Sequence, residues 1–414
     1  MRIVFERCAG LDVHKKTVVA CRIIPDGKEG WSIEVRTFGT MLDDLLALAD
    51  WLRIGGVTHV ALESTGVYWK PVFNILEGEF EVILVNARHI KFVPGRKTDV
   101  KDAQWIADLL QHGLLSASFI PPAPQRELRE LVRYRTHLIE ERTREVNRVH
   151  KVLEDANLKL SSVATDILGV SGREMLAAII VGKDDPAALA QLAKARLRLK
   201  IAELERALTG HVKDSHRLLL KLHLEHIDDL NAKITALEEA IAKLLPPFDQ
   251  DDLLARLQTI PGVGEKVAQA IVAEIGTDMS RFKTANHLAS WAGLVPGKNE
   301  SAGRNRSAKT NKANRYLKSI LVEAAQAAGH QHDTHLAAQF HRLAARRGKK
   351  RAAVAVAHSI LVIVYHIIQR GTLYTDLGAN YFDQRKAEAV QTQLVRRLER
   401  LGFKVTLEAQ HAAA

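Results

Sequence analysis

Four acidic residues, Asp12, Glu63, Asp99 and Asp102, have the chemical type and the placement of ligands for a divalent metal ion. Each stands where a predicted strand or helix begins or ends. Mg²⁺ prefers carboxylate oxygens, and two such ions about 3.5 to 4 Å apart can activate an attacking oxygen and stabilise a leaving one at a phosphodiester. Ordinary roles fit as well, because Asp99 can cap a helix and Asp102 can favour its first turn.

A second candidate site is the turn Pro261-Gly262-Val263-Gly264 between two helical segments. This pattern is typical of a helix-hairpin-helix, in which glycines expose backbone N–H groups at a helix N-terminus, where phosphate binds. Gly262, Gly264 and the following Lys266 are therefore candidate nucleic-acid-binding residues. A tight turn in a helical domain that meets no nucleic acid is the alternative.

The excess positive charge is concentrated in two stretches. From Lys298 to Lys318 seven basic residues face a single acid, and the run from Arg342 to Arg351 has six basic residues and no acid, in a chain whose formal net charge is +11. This local excess indicates a polyanionic partner. The first stretch alternates cations with small residues, as a loop that holds a phosphate backbone does. Its candidate contacts are Lys298, Arg304, Arg306, Lys309 and Lys312.

The same loop contains two hydroxyl groups that could attack a phosphate, those of Ser301 and Ser307. Serine is a poor nucleophile unless a base, a metal or cations assist it. Residue type alone does not separate the two serines, and a solvated loop serine without a catalytic role is the alternative for both.

Two classes of element must position these residues. Up to residue 85, short β-branched runs alternate with helical patterns, which predicts an α/β domain; residues 125–245 contain a single proline and are predicted to be mostly helical. The expected strands include 18–21, 57–62 and 82–85, and the expected helices include 41–52 and 97–110.

Within the helical region, apolar residues spaced 3, 4, 3, 4, 3 form the seam of a coiled coil. They are Ile227, Leu230, Ile234, Leu237, Ile241 and Leu244. The seam fits either an antiparallel helix pair within the chain or a dimer contact.

The composition, with 47% apolar and 26% charged residues, is that of a folded globular protein. Two cysteines exclude a disulfide framework and favour a reducing compartment. The N-terminus lacks the pattern of a signal peptide. The apolar run 354–368 is shorter than a bilayer span and is predicted to be a buried helix, so no membrane partner is expected.

Five short motifs occur in an order that resembles a known family. They are Gly10-Leu11-Asp12-Val13-His14-Lys15, Leu62-Glu63-Ser64-Thr65-Gly66, Lys97-Thr98-Asp99-Val100-Lys101-Asp102-Ala103, Ile260-Pro261-Gly262-Val263-Gly264 and Asn299-Glu300-Ser301-Ala302-Gly303. Together they resemble the insertion-sequence "one-ten" family of transposases, the bridge-RNA-guided recombinases with a RuvC-like DEDD domain. The likeness extends over nearly the whole chain.

The resemblance implies an α/β RNase H-like (RuvC-like) domain at residues 1–120, in which Asp12, Glu63, Asp99 and Asp102 bind Mg²⁺. A long helical coiled-coil connection at 121–250 follows. A mainly α-helical transposase domain at 251–414 then carries the helix-hairpin-helix, the serine loop and an extended C-terminal tail. The resemblance further implies that Ser301 is a nucleophile that becomes covalently joined to DNA.

The implied partners are donor and target DNA, a non-coding bridge RNA that pairs with both, and further copies of the chain in a dimer of dimers. The implied location is the bacterial cytoplasm, near the nucleoid. The chain has Ser-Ala-Gly and Lys312-Ala313-Asn314 where many members have Ser-Gly-Gly and Lys-Gly-Asn. Two alternative functions are a RuvC-like junction nuclease that uses water and a non-catalytic nucleic-acid scaffold.

Overall fold

The computed structural model describes residues 2–27, 30–64, 66–85, 102–297, 300–301, 304–305, 310, 313–385 and 387–407, with backbone only at 300, 301, 304, 305 and 389. The chain divides into two compact units, Met1–Pro121 and Pro122–Ala414. Each unit is built around its own apolar clusters.

The first unit is a five-stranded mixed sheet with helices on both faces. Its strand order is β3-β2-β1-β4-β5; β1 pairs antiparallel with β2 and parallel with β4. The strands are β1 Cys8–Val13, β2 Thr17–Pro25, β3 Trp31–Gly39, β4 His59–Glu63 and β5 Glu81–Val85, and the helices are α1 Leu42–Ile54, α2 Trp69–Leu76 and α3 Asp102–Gln111.

Alternation along β1 separates two apolar layers, as expected when successive side chains of a strand point to opposite faces. Ala9 and Leu11 pack with α1 and α2 on one face, while Cys8 packs with α3 on the other. The predicted α/β character of this region is confirmed. The predicted strands 57–62 and 82–85 are shifted by one or two residues, and residues 97–101 of the predicted helix 97–110 lie outside the described residues.

The second unit begins with two long helices, α4 Ala123–Asp155 and α9 Asp214–Leu244, that run antiparallel. Two contacts fix this direction. Asp155 at the end of α4 lies 2.8 Å from His216 near the start of α9, and Glu145, earlier on α4, lies 2.8 Å from His223, later on α9.

The coiled-coil seam packs inside the chain. Ile227, Leu230 and Ile241 are fully buried, and Leu138 of α4 packs against Leu230 and Ile234. Of the two arrangements that the seam allows, the structure contains the antiparallel helix pair within the chain.

Short helices join the far ends of α4 and α9 and share one apolar cluster. They are α5 Leu160–Val163, α6 Val170–Ile180, α7 Pro186–Ala190 and α8 Ile201–Ala207. After α9 the chain is again mainly helical, as predicted. The elements are α10 Leu253–Gln258, α11 Glu265–Ile275, α12 Ala285–Trp291, β6 Glu300–Ser301, β7 Arg304–Asn305, α13 Arg315–Gly329, α14 His335–Arg347, α15 Lys349–Arg370, α16 Tyr381–Gln384 and α17 Ala387–Arg400.

Helix α15 contains the apolar run 354–368. Among the described helices it alone is long and apolar enough to cross a membrane, and half of its most apolar stretch is buried inside the chain. Val356, Ile360 and Val364 are fully buried, and the helix packs against α12, α13 and α14. These contacts are those of a core helix of the second unit.

Candidate functional site

Two of the predicted acids stand side by side at one edge of the sheet. Strands β1 and β4 are parallel and paired up to Leu11 and Leu62. Asp12 and Glu63 are the next residue on each strand, so they continue the same register and face the same side. Neighbouring strands lie about 4.8 Å apart, which makes the two acids close neighbours.

Helix α3 brings a third acid to this edge. A Cβ atom on Gly10 would lie 2.3 Å from the carbonyl oxygen of Ala103 and 2.3 Å from the backbone nitrogen of Ala107, so the helix backbone rests directly on β1. Further back along the strand, the Cys8 thiol donates to the carbonyl oxygen of Ala107 over 3.7 Å. The helix therefore runs antiparallel to β1.

Because of this direction, the first residue of α3, Asp102, lies towards the end of β1 that carries Asp12. We call this region, with Asp12, Glu63 and Asp102, the acid corner. The helix can approach β1 so closely only because Gly10 has no side chain, so this glycine fixes the position of the third acid.

Asp12 remains accessible at the acid corner. Its side chain is 18% exposed, and its Oδ2 lies 3.1 Å from Nε2 of His14, which is 59% exposed. Sequence reasoning does not identify His14 as a functional residue; the available signal is its position two residues after Asp12, in the turn before β2. This histidine stands where it can orient the carboxylate.

The donor types at the acid corner fit a hard divalent cation. Within the described parts of the chain, however, no three His, Cys, Asp or Glu side chains come close enough together to hold an ion. The fourth predicted ligand, Asp99, lies outside the described residues. The structure thus brings Asp12, Glu63 and Asp102 to one corner without closing them around a metal.

The predicted helix-hairpin-helix corresponds to α10, a tight turn and α11. Gly262 has a positive φ of 85°, and a Cβ there would lie 2.2 Å from the carbonyl oxygen of Ala324 on α13. This glycine permits close packing of two helices. Gly264 precedes α11 with extended φ and ψ, no side chain caps the helix, and a Cβ at this position would meet nothing within 4 Å.

The first turn of α11 is tied to the long helices. Lys266 makes a 2.5 Å ion pair with Glu238 of α9. Gln269 donates to Glu265 over 3.0 Å and accepts from Arg135 of α4 over 2.6 Å. The Lys266 ammonium is therefore already paired, and a phosphate bound at this helix end would compete with Glu238 for it.

The basic loop contains a short antiparallel ladder in which Ser301 pairs with Arg304, and an isolated bridge joins Pro296 to Thr310. For Ser301 and Arg304 only the backbone is described. The predicted contacts Lys298, Arg306, Lys309 and Lys312, and the alternative Ser307, lie outside the described residues. Ser301 belongs to the second unit and the acid corner to the first.

A buried charged cluster holds the chain where it leaves this loop. Asn314 caps α13, since its Oδ1 accepts from the N–H of Leu317 over 3.1 Å, and its Nδ2 donates to Oε2 of Glu274 over 2.5 Å. Glu274 is 1% exposed and receives two bonds from Arg133, of 2.6 and 2.8 Å. Arg129 lies 3.5 Å from the same carboxylate.

We call Glu274, Arg129, Arg133 and Asn314 the loop anchor. Burial lowers the pKa of Arg129 to about 10, while the negative charge of Glu274 acts in the opposite direction and the neighbouring Arg133 lowers it further. Sequence reasoning identifies none of the four; the available signal is a lone acid, Glu274, in the apolar segment Ala-Ile-Val-Ala-Glu-Ile.

Comparison with known proteins finds a match to a transposase family in each of the two units. A DEDD transposase model of the IS110 type, described as "Transposase", matches residues 9–158, and a second, described as "Transposase IS116/IS110/IS902 family", matches residues 254–342. The two matched stretches together cover more than half of the chain. The chain belongs to the IS110 family of transposases.

Several curated proteins are similar to this transposase over most of their length. The transposase of insertion sequence IS1111A from Coxiella burnetii is 23% identical over 370 residues, 88% of this chain and 90% of its own. An uncharacterised IS116 protein of Streptomyces clavuligerus is 26% identical, covering 72% of this chain and 81% of its own. A probable family 20 transposase of Pseudomonas aeruginosa is 25% identical, covering 76% and 85%.

Membership of the IS110 family establishes a protein that acts on DNA as the transposase of an insertion sequence. The DEDD domain of the matching model indicates dependence on a divalent metal. Asp12, Glu63 and Asp102 of the acid corner all lie within the stretch matched by that model. Glu274 lies within the second matched stretch.

Proposed function

We propose that this transposase cuts and rejoins DNA through a covalent bond between Ser301 and a DNA phosphate, with Mg²⁺ held by Asp12, Glu63, Asp99 and Asp102. The observation that carries the proposal is the convergence of in-register β1 and β4 with the start of α3 at one accessible corner. The RNase H-like domain supplies the carboxylates, and the basic loop supplies the hydroxyl.

The chemical step conserves the phosphodiester energy. The Ser301 Oγ attacks phosphorus, an Oγ–P bond forms, and the bond from phosphorus to one deoxyribose oxygen breaks. The serine proton passes to solvent or to a nearby base, and the departing oxygen takes up a proton as a free hydroxyl. Attack by a hydroxyl of the exchanged strand reverses the step and frees Ser301, so no ATP is required.

Bound Mg²⁺ would polarise the phosphate and stabilise the charge that develops on the attacking and leaving oxygens. The chain's own residues bind the DNA and orient the groups that react. The cations of the basic loop hold the phosphate backbone. His14, in contact with Asp12, keeps one carboxylate oriented.

We further propose that a structured non-coding RNA guides this enzyme to donor and target DNA, and that a dimer of dimers combines acids and serines of different subunits. The positive charge from Lys298 to Lys318 and from Arg342 to Arg351 supports a large polyanionic partner. The proposed location is the cytoplasm, at the nucleoid.

Covalent capture tests the serine mechanism. The protein is incubated with Mg²⁺, RNA transcribed from the DNA beside its coding region, and labelled donor DNA, and is then denatured. A labelled protein–DNA adduct is expected for the native chain, none for Ser301→Ala, and a normal amount for the matched control Ser307→Ala. An adduct that survives in Ser301→Ala contradicts the proposal.

Two other functions are distinguished by the same assay. A junction nuclease that activates water cleaves DNA without any adduct. A non-catalytic scaffold supports transposition after Asp12→Asn. The proposed mechanism instead expects a large loss of transposition, because the charge stabilisation that a bound metal supplies is worth several kcal/mol.

A further inference from the structure

The extended C-terminal tail packs against α14, and the two together line an open cavity of about 370 Å³. The cavity is lined by Gln339, Arg342, Leu343, Arg346, Phe382 and Arg385. We call it the tail pocket. Four of these residues belong to α14 and two to the α16 region, so the pocket exists only because the tail is in place.

The tail is fastened by specific bonds. Asp376 accepts hydrogen bonds from the backbone N–H of His335, at 2.9 Å, and of Gly378, at 2.7 Å. The Tyr374 hydroxyl donates to the same carboxylate over 3.0 Å. The bond from His335 ties the segment that precedes the pocket to the start of α14.

Three arginines supply the charge of the tail pocket. Arg342 and Arg346 are one turn apart on α14, and Arg385 faces the same cavity from the tail. All three are exposed, no acid lines the cavity, and no described carboxylate forms an ion pair with any of them. Like charges at this spacing repel each other, and a bound anion removes that repulsion.

An aromatic ring lies beside one of these arginines. The Phe382 ring is stacked on His335, with centroids 4.7 Å apart and planes at 22°. The guanidinium of Arg342 lies 5.1 Å from the centre of the Phe382 ring. Aromatic rings and arginine planes are the groups on which unpaired bases stack.

Gln339 forms part of the wall of the pocket. Its Nε2 donates a hydrogen bond to the Ser359 hydroxyl over 3.0 Å, which ties this wall to α15.

We propose that the tail pocket binds one unpaired nucleotide of a single-stranded nucleic acid, with its phosphate on the three arginines and its base against Phe382 and Arg342. A duplex does not fit, because its bases are stacked and paired. The strand is either an RNA or a displaced DNA strand, which share this chemistry. The inference deepens the proposed function, on which it rests, by adding a nucleic-acid site outside the basic loop.

The test measures binding of the full chain to labelled strands of about 12 nucleotides, as RNA, as DNA and as a duplex. Arg346→Gln with Arg385→Gln is expected to weaken single-strand binding about 10- to 100-fold, and the salt slope is expected to fall by about 0.7 for each phosphate that the variant no longer neutralises. Arg396→Gln with Arg397→Gln, which removes the same charge from exposed positions of α17, is the matched control and is expected to weaken binding less than about threefold.

A second variant separates stacking from charge. Phe382→Ala is expected to weaken single-strand binding about 5- to 100-fold, and Phe382→Trp to retain it. Stronger effects with RNA or with DNA identify the source of the strand. The proposal is overturned if the pocket variants bind like the control pair, or if they lose duplex and single-strand binding equally.

Failure of this proposal is distinguishable from failure of the proposed function. Asp12→Asn abolishes the chemistry proposed for the acid corner but leaves the tail pocket intact, so it is expected to bind single strands like the native chain. Conversely, the pocket variants keep Ser301 and all four acids.

Discussion

At the acid corner, Asp12 and Glu63 are held by backbone hydrogen bonds between parallel strands and by a helix seated on Gly10. At the loop anchor, Asn314 is held by a buried carboxylate with two arginines around it. The first region depends on shape and the second on charge balance. A change in side-chain volume should therefore damage the first, and a change in charge the second.

The largest effect is expected at the loop anchor. Glu274→Gln leaves Arg129 and Arg133 without their counter-charge, and removing one partner of a buried ion pair typically costs about 3–5 kcal/mol. Urea denaturation followed by circular dichroism measures the loss of unfolding free energy. Glu239→Gln, an exposed acid on α9, is the control and should change stability by less than about 0.5 kcal/mol.

The same pair of variants tests whether the cluster serves the serine loop. Glu274→Gln should reduce covalent adduct formation below the temperature at which it unfolds, whereas Glu239→Gln should not. A stable Glu274→Gln protein, within about 1 kcal/mol of the native chain, would show that charge balance is not what holds this region.

At the acid corner the sensitive change is an added methyl group. Gly10→Ala places a Cβ against the backbone of α3, and overpacking of this kind costs about 1–3 kcal/mol. Thermal unfolding in the presence and absence of Mg²⁺ measures both the stability and any stabilisation by the ion. Gly78→Ala, where a Cβ meets nothing within 4 Å, is the matched control.

Gly10→Ala should also lower or abolish stabilisation by Mg²⁺, because Asp102 moves with the helix. Equal stabilisation by Mg²⁺ in Gly10→Ala and Gly78→Ala would mean that the seating of α3 does not position the metal ligands.

The difference between the two regions also explains what the sequence can predict. Asp12 and Glu63 follow runs of β-branched residues, so their positions at strand ends can be inferred from local pattern. The order of strands and helices can be inferred in the same way. The coiled-coil seam is visible in its spacing, but whether its partner lies in the same chain is not, since Leu138 and Leu230 are far apart in sequence.

The loop anchor shows where such inference ends. Arg129 and Arg133 look like two of many cations on a charged helix, and only the fold brings them to Glu274, more than 140 residues away. The tail pocket is similar. Arg346 and Arg385 line the same cavity because the chain turns back after α15, and no periodic pattern in the sequence predicts that turn. Contacts between distant segments carry no local signal.

The reactivity of the two cysteines of the first unit depends on the packing of α3 against the sheet. Burial raises the pKa of Cys8 to about 12, with smaller contributions from Cys21 and Asp108, and burial raises the pKa of Cys21 to about 11. Both thiols are therefore neutral and shielded in the folded state. Thiol reagents should modify them only when α3 or the sheet opens, and faster in Gly10→Ala.

These shifts also set the direction of a pH effect. The unfolded thiols ionise near pH 9 and the folded ones only near 11 to 12. The contribution of the buried neutral thiols to the free energy of unfolding is therefore complete below about pH 9 and is lost as the pH rises towards 11 to 12. The slope is at most about 1.4 kcal/mol per pH unit for each thiol. The double variant Cys8→Ala with Cys21→Ala should show a flatter loss of stability above about pH 9; an unchanged slope contradicts the assignment.

The smallest effect separates the two roles of Asn314. Asn314→Ser can still cap α13 but cannot reach Glu274 with a donor of the same length, whereas Asn314→Ala loses both bonds. Removing an N-cap costs about 1 kcal/mol, so Asn314→Ala should be less stable than Asn314→Ser by about that amount. If Asn314→Ser is the more stable of the two but both variants lose adduct formation, then the bond to Glu274 serves the position of the serine loop and the cap serves only the helix. If both keep full adduct formation, the loop does not depend on its anchor, and the contrast between a region held by shape and one held by charge applies to stability alone.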